Sequence, residues 1–181
     1  GSSIVVSDWG TGEVLVFENY LANPKWRIPS YAEGNTQSLI SPNGNNFVTY
    51  NSDYLNLYSI DDISPIWEVP NFSIGNQPGG VRFSADSSKL VIGTYNGTGG
   101  PGKSYFYDIV NQSLVWQYTD SSRTLWSHNA LSQNGDVIAK CDYDSENITI
   151  FNSISPIPIW QSQIPGGNCW DISISADGNI I

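Results

Sequence analysis

The amino-acid sequence predicts an all-β fold built from four-stranded repeats, and three observations carry that expectation. A Ser-led turn motif recurs as Ser41-Pro42-Asn43-Gly44, Ser84-Ala85-Asp86-Ser87, Ser132-Gln133-Asn134-Gly135 and Ser175-Ala176-Asp177-Gly178, at spacings of 43, 48 and 43 residues. That is the roughly 40–50 residues a four-stranded repeat unit takes. A second landmark keeps the same beat: Trp26, Trp67, Trp116 and Trp160 are spaced by 41, 49 and 44 residues. The third observation is negative. No segment carries a sustained 3.6-residue apolar period, so no helix is expected.

Each repeat reads as four strands in order. The first closes on an apolar residue before the Ser marker: Ile40, Phe83, Leu131 or Ile174. The second strands are residues 4–6, 47–50, 90–92 and 137–139, rich in Val and Ile. The third are 14–17, 55–58, 104–107 and 148–151, each with strand propensity and each ending in an aromatic ring. The fourth carry the Trp and span 25–28, 66–69, 115–118 and 159–162. Asn-Gly or Asp-Gly at 43–44, 134–135 and 177–178 supplies the positive-φ position of a tight hairpin between first and second strands.

One four-stranded sheet cannot bury both of its faces, whereas sheets stacked around an axis can. With its Ser-x-Asp-Gly turns and the stretch Tyr107-Asp108-Ile109-Val110-Asn111-Gln112-Ser113-Leu114-Val115-Trp116, the chain resembles the WD-repeat and pyrroloquinoline-quinone-like β-propeller superfamily. The likeness covers nearly all of residues 1–181, taken as one partial or complete propeller domain of about four blades. It departs from the family in lacking the Thr-Gly pair of the quinoprotein repeat and the Gly-His and Trp-Asp dipeptides of strict WD repeats; Trp170-Asp171 falls on the wrong strand. The chain begins inside a second strand, stops as another begins and contains no Met. The expectation is a window from a larger ring, with blades missing at one or both sides.

Composition narrows the functions. Net charge is −10 with seven Lys and Arg, so phosphate contacts lack cations and a nucleic-acid surface is not expected. No apolar run reaches the roughly 18 residues of a membrane span. The acidic, Asn- and Ser-rich composition fits an extracellular or cell-surface protein. Sequons stand at Asn71, Asn96, Asn111 and Asn147, all in or beside inter-strand loops; in a chain of this composition chance supplies about three. On propeller geometry, Cys141 ends a second strand and Cys169 begins the next blade's first strand on the same rim. They form either a disulfide, fitting an oxidising compartment, or two separate buried thiols.

Several motifs invite a chemical reading that their context opposes. Residues 97–104 match G-x-x-x-x-G-K-[ST] literally, but a phosphate loop needs a helix N-terminus after its Lys, and here a strand follows. Asp142, Asp144 and Glu146 alternate like calcium ligands without the turn Gly or the distal Glu, a solvated acidic loop being the expected reading. His128 is the single histidine, so neither a zinc set nor a haem pattern exists, and it is expected to bond at a blade junction. No cofactor is expected and no catalytic residue is assigned.

One pattern remains. The loops between second and third strands carry Trp9, Tyr54, Tyr95 and Tyr143 at corresponding places, three of them preceded by Asp (Asp8, Asp53 and Asp142). Tyr31, Trp126 and Trp170 open onto the same rim. Such rings cover a neighbouring sheet, with the carboxylate capping a turn, or they form an aromatic rim that binds protein or carbohydrate. The function expected is a non-catalytic, secreted or cell-surface module that binds protein or glycan or supports surface assembly. The alternatives are a fragment of a quinoprotein-like dehydrogenase, an enzyme the resemblance implies, and a self-assembling subunit of an extracellular polymer.

Overall fold

The computed structural model describes residues 2–8, 10–29, 36–69, 78–94, 101–123, 127–143 and 147–181, with backbone only at 78, 79 and 121–123. Among them there are fifteen strands and no helix. The chain divides into two compact units, Gly1–Ser73 and Ile74–Ile181.

The first unit holds two sheets. A three-stranded sheet is formed by β1 (Ser3–Ser7), β2 (Val14–Glu18) and β3 (Trp26–Ile28), and a four-stranded one by β4 (Gln37–Ile40), β5 (Asn46–Tyr50), β6 (Leu55–Ser59) and β7 (Pro65–Glu68). The second unit holds two four-stranded sheets. These are β8 (Pro78–Phe83), β9 (Lys89–Thr94), β10 (Pro101–Asp108) and β11 (Ser113–Arg123), then β12 (Ser127–Leu131), β13 (Val137–Asp142), β14 (Asn147–Asn152) and β15 (Trp160–Gln163). Every sheet is an antiparallel meander in which strands consecutive in sequence pair with one another.

The recurring Ser is explained by the turn it builds. Ser132 Oγ donates to Asn134 Oδ1 (2.9 Å) and accepts from the Val137 N–H (3.0 Å). Ser41 does the same with Asn43 and Asn46, Ser84 with Asp86 and Lys89, and Ser175 with Asp177 and Ile180. The side chain closes the hairpin and satisfies a backbone donor, which fixes both residue types at their spacing. Gly44, Gly135 and Gly178 sit at positive φ, and a Cβ on Gly178 would lie 2.7 Å from Val137 Cγ2. In the second unit the turns bond to each other, Ala85 N–H to Gln133 O (2.9 Å) and Gln133 N–H to Ala176 O (3.0 Å).

Ser87 occupies the glycine position of its turn with φ 65°. A left-handed conformation costs an L-residue roughly 1–2 kcal/mol. Ser87→Gly is therefore expected to raise unfolding stability by about 1 kcal/mol, read as a higher urea midpoint at unchanged slope. A lower midpoint would mean that the side chain's own contacts outweigh the backbone strain.

Trp26 and Trp116 of the Trp landmark each clamp one sheet to the next. Trp26 Nε1 donates to Ile60 O (3.1 Å), and Trp116 Nε1 donates to Ser153 O (3.2 Å). Trp116 stacks on Phe106 of its own sheet (5.2 Å) and meets Phe151 of the following sheet (5.3 Å). Around these contacts lie the cores: Val14, Val16 and Ile28 against Phe47, Tyr58 and Ile60 in the first unit, and Val91, Phe106 and Trp116 against Ile138 and Phe151 in the second. The other face of the β12–β15 sheet buries Ala130, Ala139 and Ile150 under Ile172 and Ile174. Residues 164–181 thus continue the repeat, although no strand is assigned there.

Candidate functional site

In the second unit two of the aromatic residues singled out by the sequence come together, and a disulfide is the cause. Cys141 lies near the end of β13 and is joined to Cys169, their Cα atoms 6.0 Å apart. Each cysteine leads into an aromatic: Tyr143 follows Asp142 in the turn after β13, and Trp170 follows Cys169 directly. The crosslink fixes the two segments so that Trp170 meets Tyr143 edge-on, with ring centroids 4.7 Å apart and planes at 78°. Such tilted pairs are favoured by the ring quadrupoles. Trp170 remains 72% exposed, so its indole is oriented yet open to solvent.

Polar groups stand beside the pair. Asp171 follows Trp170 in sequence, and its carboxylate accepts the Ile172 N–H (2.9 Å) and lies 3.9 Å from Arg82 Nη2 of β8. Arg82 is oriented by donating from Nη1 to Val81 O (2.9 Å). His128 is the ladder partner of Cys141 and so shares its face of the sheet. Burial pushes the imidazole below its usual range, and Arg82 adds to this while Asp171 opposes it. His128 is therefore neutral at physiological pH and offers hydrogen bonds without charge. Gly80 makes this closeness feasible: it sits in a β-bulge at φ +57°, where a Cβ would come within 2.7 Å of the Asn129 backbone nitrogen. A cleft of about 200 Å³ runs along the same strands, lined by Arg82, Phe83, Ala130, Leu131, Ile172 and Ile174.

The remaining rim residues divide. Tyr54 belongs to the first unit, where it is half-buried and its hydroxyl is 2.8 Å from buried Thr36 Oγ1, a structural contact. Trp9, Tyr31, Tyr95 and Trp126 lie outside the described residues, as do the sequons Asn71 and Asn96 and the acidic residues Asp144 and Glu146. Asn111 is exposed in the β10–β11 turn, its amide nitrogen bonded to Asp108 Oδ2 (3.0 Å), and Asn147 opens β14 opposite Gln163.

The three aspartates that precede rim aromatics do different work. Asp8 accepts the N–H groups of Gly10 (2.8 Å) and Thr11 (3.4 Å), which hold its carboxyl below the usual range. Asp53 is exposed. Asp142, considered above as a calcium ligand in a solvated loop, is instead fully buried and ion-paired to Lys140, which also bonds Asp120 (3.3 Å). Its Oδ2 is occupied by an ammonium group, so it does not serve that loop. Among the described residues no group of three or more His, Cys, Asp or Glu is arranged to hold a metal. The strand expected after the phosphate-loop match is β10, and Lys103 donates its N–H to Thr94 Oγ1 (3.0 Å) across the hairpin.

The approach of Arg82 to Asp171, the residue after Trp170, and the influence of both charges on His128 were not foreseen. The repeat spacing held the signal: His128 and Asp171 both stand four residues before their Ser marker, at equivalent points of successive repeats.

Taken together, fold and site describe an all-β repeat protein presenting a crosslinked aromatic pair with ionic and neutral polar groups beside it. Comparison with family models and with curated proteins gave no match.

Proposed function

We propose that this chain is a non-catalytic β-propeller module, secreted or displayed at a cell surface, that binds a glycan through the rim bearing Tyr143 and Trp170. The observation that carries this reading is the exposed indole held edge-on to Tyr143 by the Cys141–Cys169 crosslink. A pre-oriented aromatic face loses little entropy on binding, and it stacks on the C–H face of a sugar ring while Asp171 and His128 exchange hydrogen bonds with hydroxyls. The propeller reading is supported by the repeat of sheet, turn and Trp clamp within each unit, and a disulfide fits an oxidising compartment. No helix among the described residues is long and apolar enough to cross a membrane.

Trp170→Ala is expected to weaken ligand binding about thirtyfold, the loss of roughly 2 kcal/mol typical of an aromatic anchor. A glycan array identifies the ligand, titration calorimetry measures the change, and unfolding curves show that the variant is folded. Wild-type affinity in folded Trp170→Ala would refute the aromatic site. Binding to a protein but to no glycan would move the reading to protein recognition at the same rim.

A further inference from the structure

Behind the rim, between the third and fourth sheets, lies a buried polar cluster that the binding function does not use. Ser127, Asn129, Lys140, Asp142 and Asp120 are at most 5% exposed. Ser127 is the ladder partner of Asp142 and Asn129 that of Lys140, so all four project from one face of β12 and β13. It is the face whose Ile138 and Phe151 pack on Val91, Phe106 and Trp116 of the third sheet, and Ser104 of β10 donates to Asn129 Oδ1 from that sheet (3.1 Å). Lys140 Nζ bridges Asp120 Oδ2 and Asp142 Oδ2. Three polar atoms are left with no protein partner: Ser127 Oγ, Asn129 Nδ2 and Asp142 Oδ1.

We infer that Ser127, Asn129 and Asp142 wall an internal site that holds a single water molecule between the third and fourth sheets. The donor and acceptor inventory selects that ligand. Asn129 Nδ2 only donates, Asp142 Oδ1 accepts, and the Ser127 hydroxyl does either. Water, with two donors and two acceptors, complements the set in one molecule, and buried waters typically make about three such bonds. A metal cation is disfavoured because the Lys140 ammonium already sits on Asp142, and an anion because Asp120 and Asp142 face the same space. The water ties the first residue of β12 to the last residue of β13, immediately before Tyr143. It therefore stiffens the strand end on which the aromatic pair stands. This inference rests on the buried atoms alone and does not depend on which ligand the rim takes.

A high-resolution crystal structure of the wild-type chain tests it. A single density peak within hydrogen-bonding distance of all three atoms, refining as water, is the expected result. A dry space with direct side-chain bonds, or a peak with the short distances of a coordinated cation, overturns the site. In solution, oxygen-17 relaxation dispersion counts long-lived waters. Ser127→Val, whose second methyl fills the space and removes the hydroxyl, is expected to lose one such water, whereas Ser127→Ala keeps it. An unchanged count in folded Ser127→Val also overturns the inference, and the wild-type crystal result stands whichever variant folds.

Discussion

Replacing Lys140 by methionine is expected to destabilise the chain by about 3–5 kcal/mol, the cost of breaking a buried ion pair and leaving charge uncompensated. Lys140 has no solvent exposure and is shared by two buried carboxylates, with the Tyr118 ring 5.7 Å from its ammonium. Without it, Asp120 and Asp142 share one buried space with their countercharge removed. The effect carries a signature in pH. Burial raises the Asp142 pKa, Lys140 pulls it down, and Asp120 raises it. The folded value lies above the unfolded one, so Asp142 contributes most stability below its unfolded pKa and loses that contribution as pH rises through its folded value. Removing Lys140 raises the folded value further. The penalty of Lys140→Met should therefore be larger at alkaline than at mildly acidic pH. Urea unfolding across that range checks both points, and combining Lys140→Met with Asp120→Asn and Asp142→Asn should recover most of the loss. A cost under about 1 kcal/mol, independent of pH, would show that the cluster is solvated rather than buried.

Cys169→Ser is expected to cost about 3.5 kcal/mol, the chain-entropy value for a crosslink closing a 28-residue separation. The native geometry is already suited to the bond at a Cα separation of 6.0 Å, and both cysteines are buried. The same substitution should disconnect Trp170 from Tyr143, because residues 164–181 hold no assigned strand and keep their place through Ile172, Ile174, the Ser175 turn and the crosslink. Two measurements separate these effects. Denaturant unfolding reports the stability loss, and near-ultraviolet circular dichroism reports the loss of the edge-on ring pair. Reduction of the wild-type chain should reproduce both changes. Full stability in the serine variant would mean that apolar packing alone anchors the segment. Retained ring coupling would mean that Trp170 is positioned without the sulfur bridge.

The architecture of each repeat was legible because it rests on local chemistry. A Ser hydroxyl that bonds an Asx side chain two residues on, and a backbone N–H five residues on, needs only its own hairpin, so it writes a fixed spacing into the chain. Alternation of apolar residues with terminal rings likewise places β2, β6, β10 and β14 within a residue or two, save for β10, which starts three residues earlier. Trp116 was recognised as a landmark by its period alone. That its indole donates to Ser153, 37 residues further on, depends on how one sheet packs against the next.

The site divides in the same way. Sequence by itself determined that Tyr143 and Trp170 stand at loop positions beside two cysteines, because residue order and strand period are properties of the chain. It also implied an acidic molecule with few cations to spare. Only tertiary structure decided that these two rings touch, that Tyr54 instead spends its hydroxyl on Thr36, and that Asp142 turns inward to Lys140. The three Asp-aromatic pairs look alike in sequence, yet Asp8 caps a turn, Asp53 faces solvent and Asp142 is buried. The physical reason is that a carboxylate's surroundings depend on what packs over its face: Asp142 and Lys140 stand two residues apart on β13, and the third sheet, with Asp120, closes over both, whereas Asp8 is served by the N–H groups of its own turn.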